Sequence, residues 1–134
     1  MIRIYYISTA AEGLTSLDYE DILSKARKNN QELELSGLLV VKGGLFAQAI
    51  EGREERVSAL FEKIKLDKRH HRIVLISKTE IEERLFPNWE MGFKDIDVSE
   101  SQLEIDLADP KFVKQPELLD RVFRHVVNQE FVTQ

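Results

Sequence analysis

The eight residues Leu45 to Gly52, reading LFAQAIEG, place one uncharged amide in the middle of an otherwise apolar strand pattern. Alternation along a strand puts Gln48 on one face together with Phe46 and Ile50. The other face carries Leu45, Ala47 and Ala49. A strand that is apolar on both faces is predicted to lie inside a sheet, and an unpaired buried amide group costs about 1 to 3 kcal/mol. A polar partner must therefore meet Gln48.

The composition predicts one soluble domain. A chain of 134 residues is long enough for one core and too short for two ordinary ones. Its net charge of −5 and the absence of a long basic run argue against a nucleic-acid partner. The chain has no cysteine, which excludes disulfides and thiolate metal sites, and it has no apolar span of about 20 residues. We therefore expect a cytoplasmic protein with no membrane partner and no metal site.

Strand and helix patterns alternate along the first 97 residues. The first predicted elements are a strand over Ile2 to Thr9, a helix over Leu17 to Gln31, and strands over Leu35 to Val41 and Leu45 to Gly52. A helix from Glu54 to near Asp67 follows, and then a strand over Ile73 to Ile76, which extends to Ile81 in one interpretation. The fifth predicted strand is the segment in which Trp89, Met91 and Phe93 alternate. The order βαββαββ is typical of an α+β, ferredoxin-like sheet with two helices on one face.

The last third of the chain predicts a pair of helices. Ser99 followed by Gln102 resembles a capping box that opens a short helix through about Leu107, which Asp109-Pro110 would end. Pro116 suits the first turn of a second helix. Its apolar stripe is Leu119, Val122, Phe123 and Val126. We expect this pair to cover the second face of the sheet, and the alternative is docking against the same helices of another copy.

Three uncharged polar side chains are predicted to point into the core: Tyr6 from the first strand, Asn30 from the first helix, and Gln48. They either pair with one another or surround a planar polar ligand between the two helices. A flavin ring has polar edge atoms for Asn30 and Gln48. Its flat apolar body would lie against Ile22, Phe46 and Ile64. Without a glycine-rich phosphate loop, phosphates would project toward the positive charges of Lys63, Arg69, His70 and His71.

Six short sequences in one order resemble BLUF domains, which are flavin-binding sensors of blue light. They are YIS at Tyr6 to Ser8, KNN at Lys28 to Asn30, SGLL at Ser36 to Leu39, FAQAIEG at Phe46 to Gly52, DKRHH at Asp67 to His71, and RLFPNWEMG at Arg84 to Gly92. The resemblance covers about residues 1 to 97. It departs from the usual pattern at Ala47 and Ala49, which are small, and at Lys63, where arginine is common.

The resemblance implies a noncovalent FAD with its ring between the two helices, with FMN or riboflavin as possible substitutes. Tyr6 would be the photochemical donor, Gln48 the amide between Tyr6 and the ring, and Asn30 a donor to the carbonyl edge. Further matching positions near the ring, ribityl chain or phosphates are Asn29, Lys63, Asp67, Arg69 and His71. Trp89 and Met91 match a signalling pair on the fifth strand. Residues 1–97 would be the sensor, and 98–134 an extension for capping, output or dimerisation.

We therefore expect a photoreceptor and not an enzyme, acting on a downstream signalling protein or effector domain and forming a homodimer or higher oligomer. The chain is either a short sensor or the front of a longer protein. Two alternatives stay open: a small ferredoxin-like hydrolase of the acylphosphatase type, and a ligand-free interaction module in which Tyr6, Asn30 and Gln48 pair internally.

Overall fold

A computed structural model describes residues 1–87, 89–95 and 106–133, with side chains through residue 128. Its five strands are β1 (Ile2–Ala10), β2 (Ser36–Lys42), β3 (Leu45–Gly52), β4 (His70–Glu80) and β5 (Gly92–Asp95). Its helices are α1 (Ser16–Leu33), α2 (Glu54–Ile64), α3 (Lys111–Lys114) and α4 (Glu117–Thr133). The order of the first seven elements is the predicted βαββαββ.

The strands form one sheet in the spatial order β4-β1-β3-β2-β5. β1 lies between β3 and β4, and all neighbouring pairs are antiparallel except β2 with β5, which are parallel. The adjacency of β1 and β3 is the arrangement predicted for the split βαβ pattern. The α+β, ferredoxin-like prediction is therefore confirmed, with β5 added at the edge beside β2.

Local signals place α1 and the central hairpin where the sequence predicts them. Thr15 caps α1 through its side chain, and Asp18 completes a capping box. Between β2 and β3 only Gly43 and Gly44 remain, with φ angles of 58° and 75°. Two consecutive positive φ angles are the requirement of a tight two-residue hairpin, and glycine adopts them without steric cost.

Alternation along β1 and β3 divides the core into two layers. Ile2, Ile4 and Tyr6 pack with Ile50 and Val57 on the face covered by α1 and α2. The opposite face carries Tyr5, Leu38, Val40, Ala47 and Ala49, which pack against Phe112, Leu119, Phe123, Val126 and Val127. The apolar stripe of α4 thus buries itself against the second face of the sheet, as the sequence predicts.

The prediction for the fifth strand is wrong in its boundaries. β5 begins at Gly92, so Trp89 and Met91 precede the strand instead of alternating within it. The Trp89 N–H donates to Phe86 O at 3.2 Å, and the Trp89 carbonyl accepts from Gly37 N at 2.9 Å. These bonds form a turn against β2, and the turn ends the alternation on which the prediction relied.

The C-terminal prediction is confirmed for its second helix and changed before it. The helix expected from Ser99 lies outside the described residues as far as residue 105, and Leu107 itself forms a turn. Asp109-Pro110 opens the short helix α3, because the Asp109 carboxylate accepts from Lys111 N at 2.9 Å and proline suits a helix start. In the described part of the chain, no helix is both long and apolar enough to cross a bilayer.

Phe123→Ala should lower the free energy of unfolding by about 3 to 5 kcal/mol, because Phe123 is fully buried between α4 and the sheet. Val113→Ala is the control, since Val113 is 60% exposed and its truncation leaves no cavity. Denaturation in urea, followed by circular dichroism, measures both variants. Equal stabilities for the two variants would contradict the packing of α4 on the sheet.

Candidate functional site

A cavity of about 260 Å³ opens between α1 and α2 over the sheet. Its wall holds all but two of the residues that the sequence singled out: Tyr6, Ile22, Asn29, Asn30, Phe46, Gln48, Lys63, Ile64, Asp67, Arg69 and Met91. The two outside the wall are His71 and Trp89. The wall is apolar on its sides and polar at its floor and mouth, the usual character of a site for a flat organic ligand.

The floor of the cavity is the pair Tyr6 and Gln48. The register of β1 and β3 places these residues directly opposite each other. The Tyr6 hydroxyl donates to Gln48 Oε1, and Gln48 Nε2 lies 3.3 Å from the sulfur of Met91. A thioether is a weak acceptor, so the amino end of this amide is held less firmly than its carbonyl end.

Asn30 stands on α1 as the buried polar group of the cavity wall. Its side chain is fully buried, and Nδ2 donates to the carbonyl of Glu90 at 2.5 Å. Its Oδ1 is the one buried side-chain polar atom in the described part of the chain without a hydrogen-bond partner. Native proteins rarely leave such an atom unpaired, so a ligand N–H in the cavity is the available donor. The imide N–H of a flavin, with a carbonyl on each side, fits this need.

Burial raises the pKa of the Tyr6 phenol above its usual range, and the negative charge of Asp67 raises it further. The phenol therefore stays protonated at all physiological pH values. Its O–H remains a donor toward Gln48.

An ion-pair network closes one side of the cavity mouth. The Arg69 guanidinium lies 2.7 Å from Asp67 and 2.9 Å from Asp21, so it links the chain after α2 to helix α1. The hydrogen bond from Arg69 holds the pKa of the Asp67 carboxyl below its usual value. The charge of Arg69 is thus already shared between two carboxylates. Lys25 and Lys63 are the lysines of the wall, and Lys25 lies 3.1 Å from the same Asp21.

His70, and not His71, lines the cavity. The His70 ring is buried, with Nδ1 2.8 Å from Ser8 Oγ and Nε2 2.6 Å from the carbonyl of Ile64. A carbonyl only accepts, so Nε2 carries a proton, and Nδ1 shares a hydrogen bond with the serine hydroxyl. These two contacts hold the ring 6.3 Å from those of Tyr6 and Phe46. His71 is exposed on β4 and stays a prediction.

Met91 and Trp89 lie on different sides of the sheet. Met91 is buried in the layer under α1 and reaches Gln48. Trp89 packs on the other layer, its ring 6.0 Å from that of Phe86. The pair named from the sequence therefore contains one residue of the cavity and one residue of the core beneath α4.

Five residues of the wall are absent from the predicted cofactor contacts, although His70 was predicted as one of the positive charges near the phosphates: Lys25, Ala26, Leu39, Leu60 and His70. Helical spacing was a signal for Ala26, which lies midway between Ile22 and Asn30 on one face of α1. Leu39 stands opposite Gln48 in the register of β2 and β3. His70 was predicted only as a surface charge near the phosphates, because a basic turn at a helix end resembles a solvated cap, and the structure instead buries it in the wall.

The family model described as "BLUF: Sensors of blue-light using FAD" matches residues 1–92. The chain belongs to the BLUF family. BLUF domains are flavin-binding sensors of blue light. The donors and acceptors of the cavity fit such a ring, since Asn30 offers an unpaired acceptor beside the Tyr6–Gln48 pair.

Two solved structures and one curated protein illustrate what this chain is similar to. The solved structure "BlrB - a BLUF protein, dark state structure" shares 25% identity, with TM-score 0.79 and 96% of each chain covered. "BlsA photo-activated state" shares 35% identity, with TM-score 0.67, over 70% of this chain and 69% of that one. Among curated proteins, "Photoactivated adenylate cyclase subunit beta" of Euglena longa is 35% identical over 65% of this chain. The match spans only 10% of that cyclase.

The phenol of Tyr6 should add no phenolate absorption until the protein unfolds, because burial raises its pKa. Folding favours the neutral form, so this group stabilises the fold below its ordinary pKa of about 10, and the stabilisation is lost as pH rises above that value. Absorbance at 295 nm, measured from neutral to alkaline pH for the wild type and Tyr6→Phe, checks this. Additional phenolate in folded wild type near its ordinary pKa would contradict the burial of Tyr6.

Proposed function

We propose that this chain is a blue-light photoreceptor that holds FAD noncovalently, with the ring in the cavity between α1 and α2. The observation that carries the proposal is the unpaired Oδ1 of the fully buried Asn30, in the same wall as the Tyr6–Gln48 pair. If these three groups paired only with one another, Tyr6 or Gln48 would donate to that oxygen, whereas both donate elsewhere. A ring with an N–H edge would donate to that acceptor, and Gln48 in the same wall would bind its carbonyl.

The proposed cofactor contacts divide by position in the cavity. Asn30 and Gln48 would bind the polar edge of the ring, and the apolar walls would be Ile22, Phe46 and Ile64. The ribityl chain and phosphates would leave past Asn29, Lys63, Asp67 and Arg69. His71, which is exposed, would reach only a group that projects from the mouth. A cavity of about 260 Å³ suits one fused ring system, so FMN and riboflavin are possible substitutes for FAD.

A bound flavin, excited by blue light, supplies a strong oxidant. Tyr6 would give up one electron, and its phenolic proton would pass along the existing hydrogen bond to Oε1 of Gln48. Since the pKa of Tyr6 is raised, the phenol has no tendency to lose this proton in the dark. The return of the electron and the proton to Tyr6 would restore the phenol.

Gln48 is suited to store the change because the two ends of an amide differ. Rotation or tautomerisation exchanges the donor and acceptor that face Tyr6 and the ring, without a change in net charge. The Nε2 end gives up only its bond to Met91 Sδ, which is weak. A new donor to the ring carbonyl would shift the flavin spectrum modestly to the red until the amide returns.

Output would pass from Gln48 through Met91 and the residues before β5 to the C-terminal helices, with Trp89 on the far side of the sheet. The effector would be a separate signalling protein or a further domain. The cyclase similarity supports the second form, although this chain spans only about a tenth of that relative. A homodimer or higher oligomer and a cytoplasmic location belong to the same proposal.

Tyr6→Phe should retain bound flavin and lose the reversible red shift, because the phenyl ring preserves the packing but has no proton to pass to Gln48. Gln48→Ala should lose the shift as well. Light-minus-dark absorption spectra measure both.

Tyr5→Phe is the matched control for Tyr6→Phe. It removes a buried phenol from the same strand, but this phenol donates to Asp120 of α4 on the opposite face, at 2.6 Å. A normal photocycle in Tyr6→Phe, or its loss in Tyr5→Phe alone, would refute the assignment of the donor.

Asn30→Ala should weaken flavin binding about tenfold, the effect of losing one buried hydrogen bond. Gln31→Ala, at an exposed neighbouring position of α1, should bind as tightly as the wild type. Titration calorimetry with FAD, FMN and riboflavin measures the affinities and identifies the preferred flavin. A colourless protein that binds none of the three would leave the hydrolase and the ligand-free module as the alternatives.

A further inference from the structure

The carboxylate of Glu51 holds together residues that are distant in the sequence. Glu51 is the penultimate residue of β3, three residues after Gln48, and its side chain is fully buried. Oε1 accepts from Phe86 N at 2.7 Å and Ser36 Oγ at 3.0 Å. Oε2 accepts from Leu85 N and Arg3 Nε, both at 3.0 Å. One buried carboxylate therefore satisfies two backbone N–H groups in the connection between β4 and β5.

That connection leads directly to the cavity. Its far end is held by three carbonyls: Trp89 O accepts from Gly37 N at 2.9 Å, Glu90 O from Asn30 Nδ2 at 2.5 Å, and Met91 O from Arg27 Nε at 3.1 Å. Its near end is held at Leu85 and Phe86 by Glu51. The position of the Met91 sulfur relative to Gln48 thus depends on two sets of bonds, and Glu51 supplies one of them.

The same carboxylate is connected to helix α4. Arg3, which is buried against Glu51, also lies 3.9 Å from Asp120 of α4 and donates to the carbonyl of Glu83 at 3.4 Å. The backbone N–H of Phe86 donates to Glu51, and its ring makes an edge contact with the ring of Phe123 in α4, with 6.3 Å between the ring centroids. A shift of the connection at Phe86 therefore moves a side chain that packs against α4.

The chemistry of this position requires a carboxylate. A buried carboxylate is stable only when paired and fully hydrogen-bonded, and the four bonds to Glu51 meet that condition. A glutamine would offer one acceptor oxygen instead of two and would point an NH₂ group at existing donors. It would also leave the Arg3 charge without its closest partner.

We propose that Glu51 is a positioning residue for the photocycle: it fixes Leu85 and Phe86, so that Met91 meets Gln48 on one face of the sheet while Phe86 meets Phe123 on the other. This inference rests on the proposed function. Glu51 does not touch the flavin cavity and acts through the backbone of the connection. It makes the connection and α4 respond together when Gln48 changes its hydrogen bonds.

The test compares Glu51→Gln with Glu55→Gln, which removes the same charge at an exposed position of α2. Trp89 is the only tryptophan of the chain, so its fluorescence reports the connection alone. In the flavin-loaded protein in the dark, Glu51→Gln should make Trp89 about twofold more accessible to acrylamide quenching, because two backbone N–H groups lose an acceptor. Dark recovery should be about tenfold faster, since Met91 is held less firmly. Glu55→Gln should match the wild type in both.

A folded Glu51→Gln variant with wild-type quenching and wild-type recovery would overturn the proposal. If that variant does not fold, Ser36→Ala decides, because it removes one hydrogen bond to the same carboxylate and should shift both readouts in the same direction. Unchanged values in Ser36→Ala would then overturn the proposal. A wild type without a red shift would refute the proposed function instead, and the quenching of Trp89 would still decide the role of Glu51.

Discussion

The pairing of β1 with β3 is the constraint on which the rest of this structure depends. Its register places Tyr6 opposite Gln48 at the centre of the sheet. Because side chains alternate, a slip of one residue in either strand would move its polar group to the face beneath α4 and turn its apolar residues toward the cavity. Both faces are buried, so such a slip is costly everywhere along the strands. The rigid position of the two photochemical candidates is thus a consequence of ordinary sheet packing.

Strand β3 carries two buried polar side chains, Gln48 and Glu51, on opposite faces of the sheet. Gln48 faces the cavity, where its carbonyl end is firmly bonded and its amino end meets only a thioether. Glu51 is fully buried and has four hydrogen bonds. A group that must rearrange needs weak bonds on one side, whereas a group that fixes a backbone needs all of its bonds. The contrast explains why both are tolerated in one short strand.

Much of the fold and most of the cavity wall followed from local patterns. Alternation identified Tyr6 and Gln48, and helical spacing identified Ile22 and Asn30, because a packed core imposes these periods on the sequence. The prediction was wrong where backbone bonds to distant residues override the period. Trp89 lies outside the expected strand because its carbonyl accepts a hydrogen bond from Gly37 N of β2, and its N–H donates one to the Phe86 carbonyl.

By itself the sequence determined the order of the elements, the two faces of the central strands and the polar groups that turn inward, since hydrophobic periodicity, capping and glycine turns are local properties. Only the tertiary structure decided that His70 and not His71 lines the cavity, that Trp89 and Met91 lie on different sides, and that Asn30 keeps an unpaired oxygen. These outcomes depend on contacts between residues that are far apart along the chain. Such contacts form only when the whole sheet and both of its helical layers are in place.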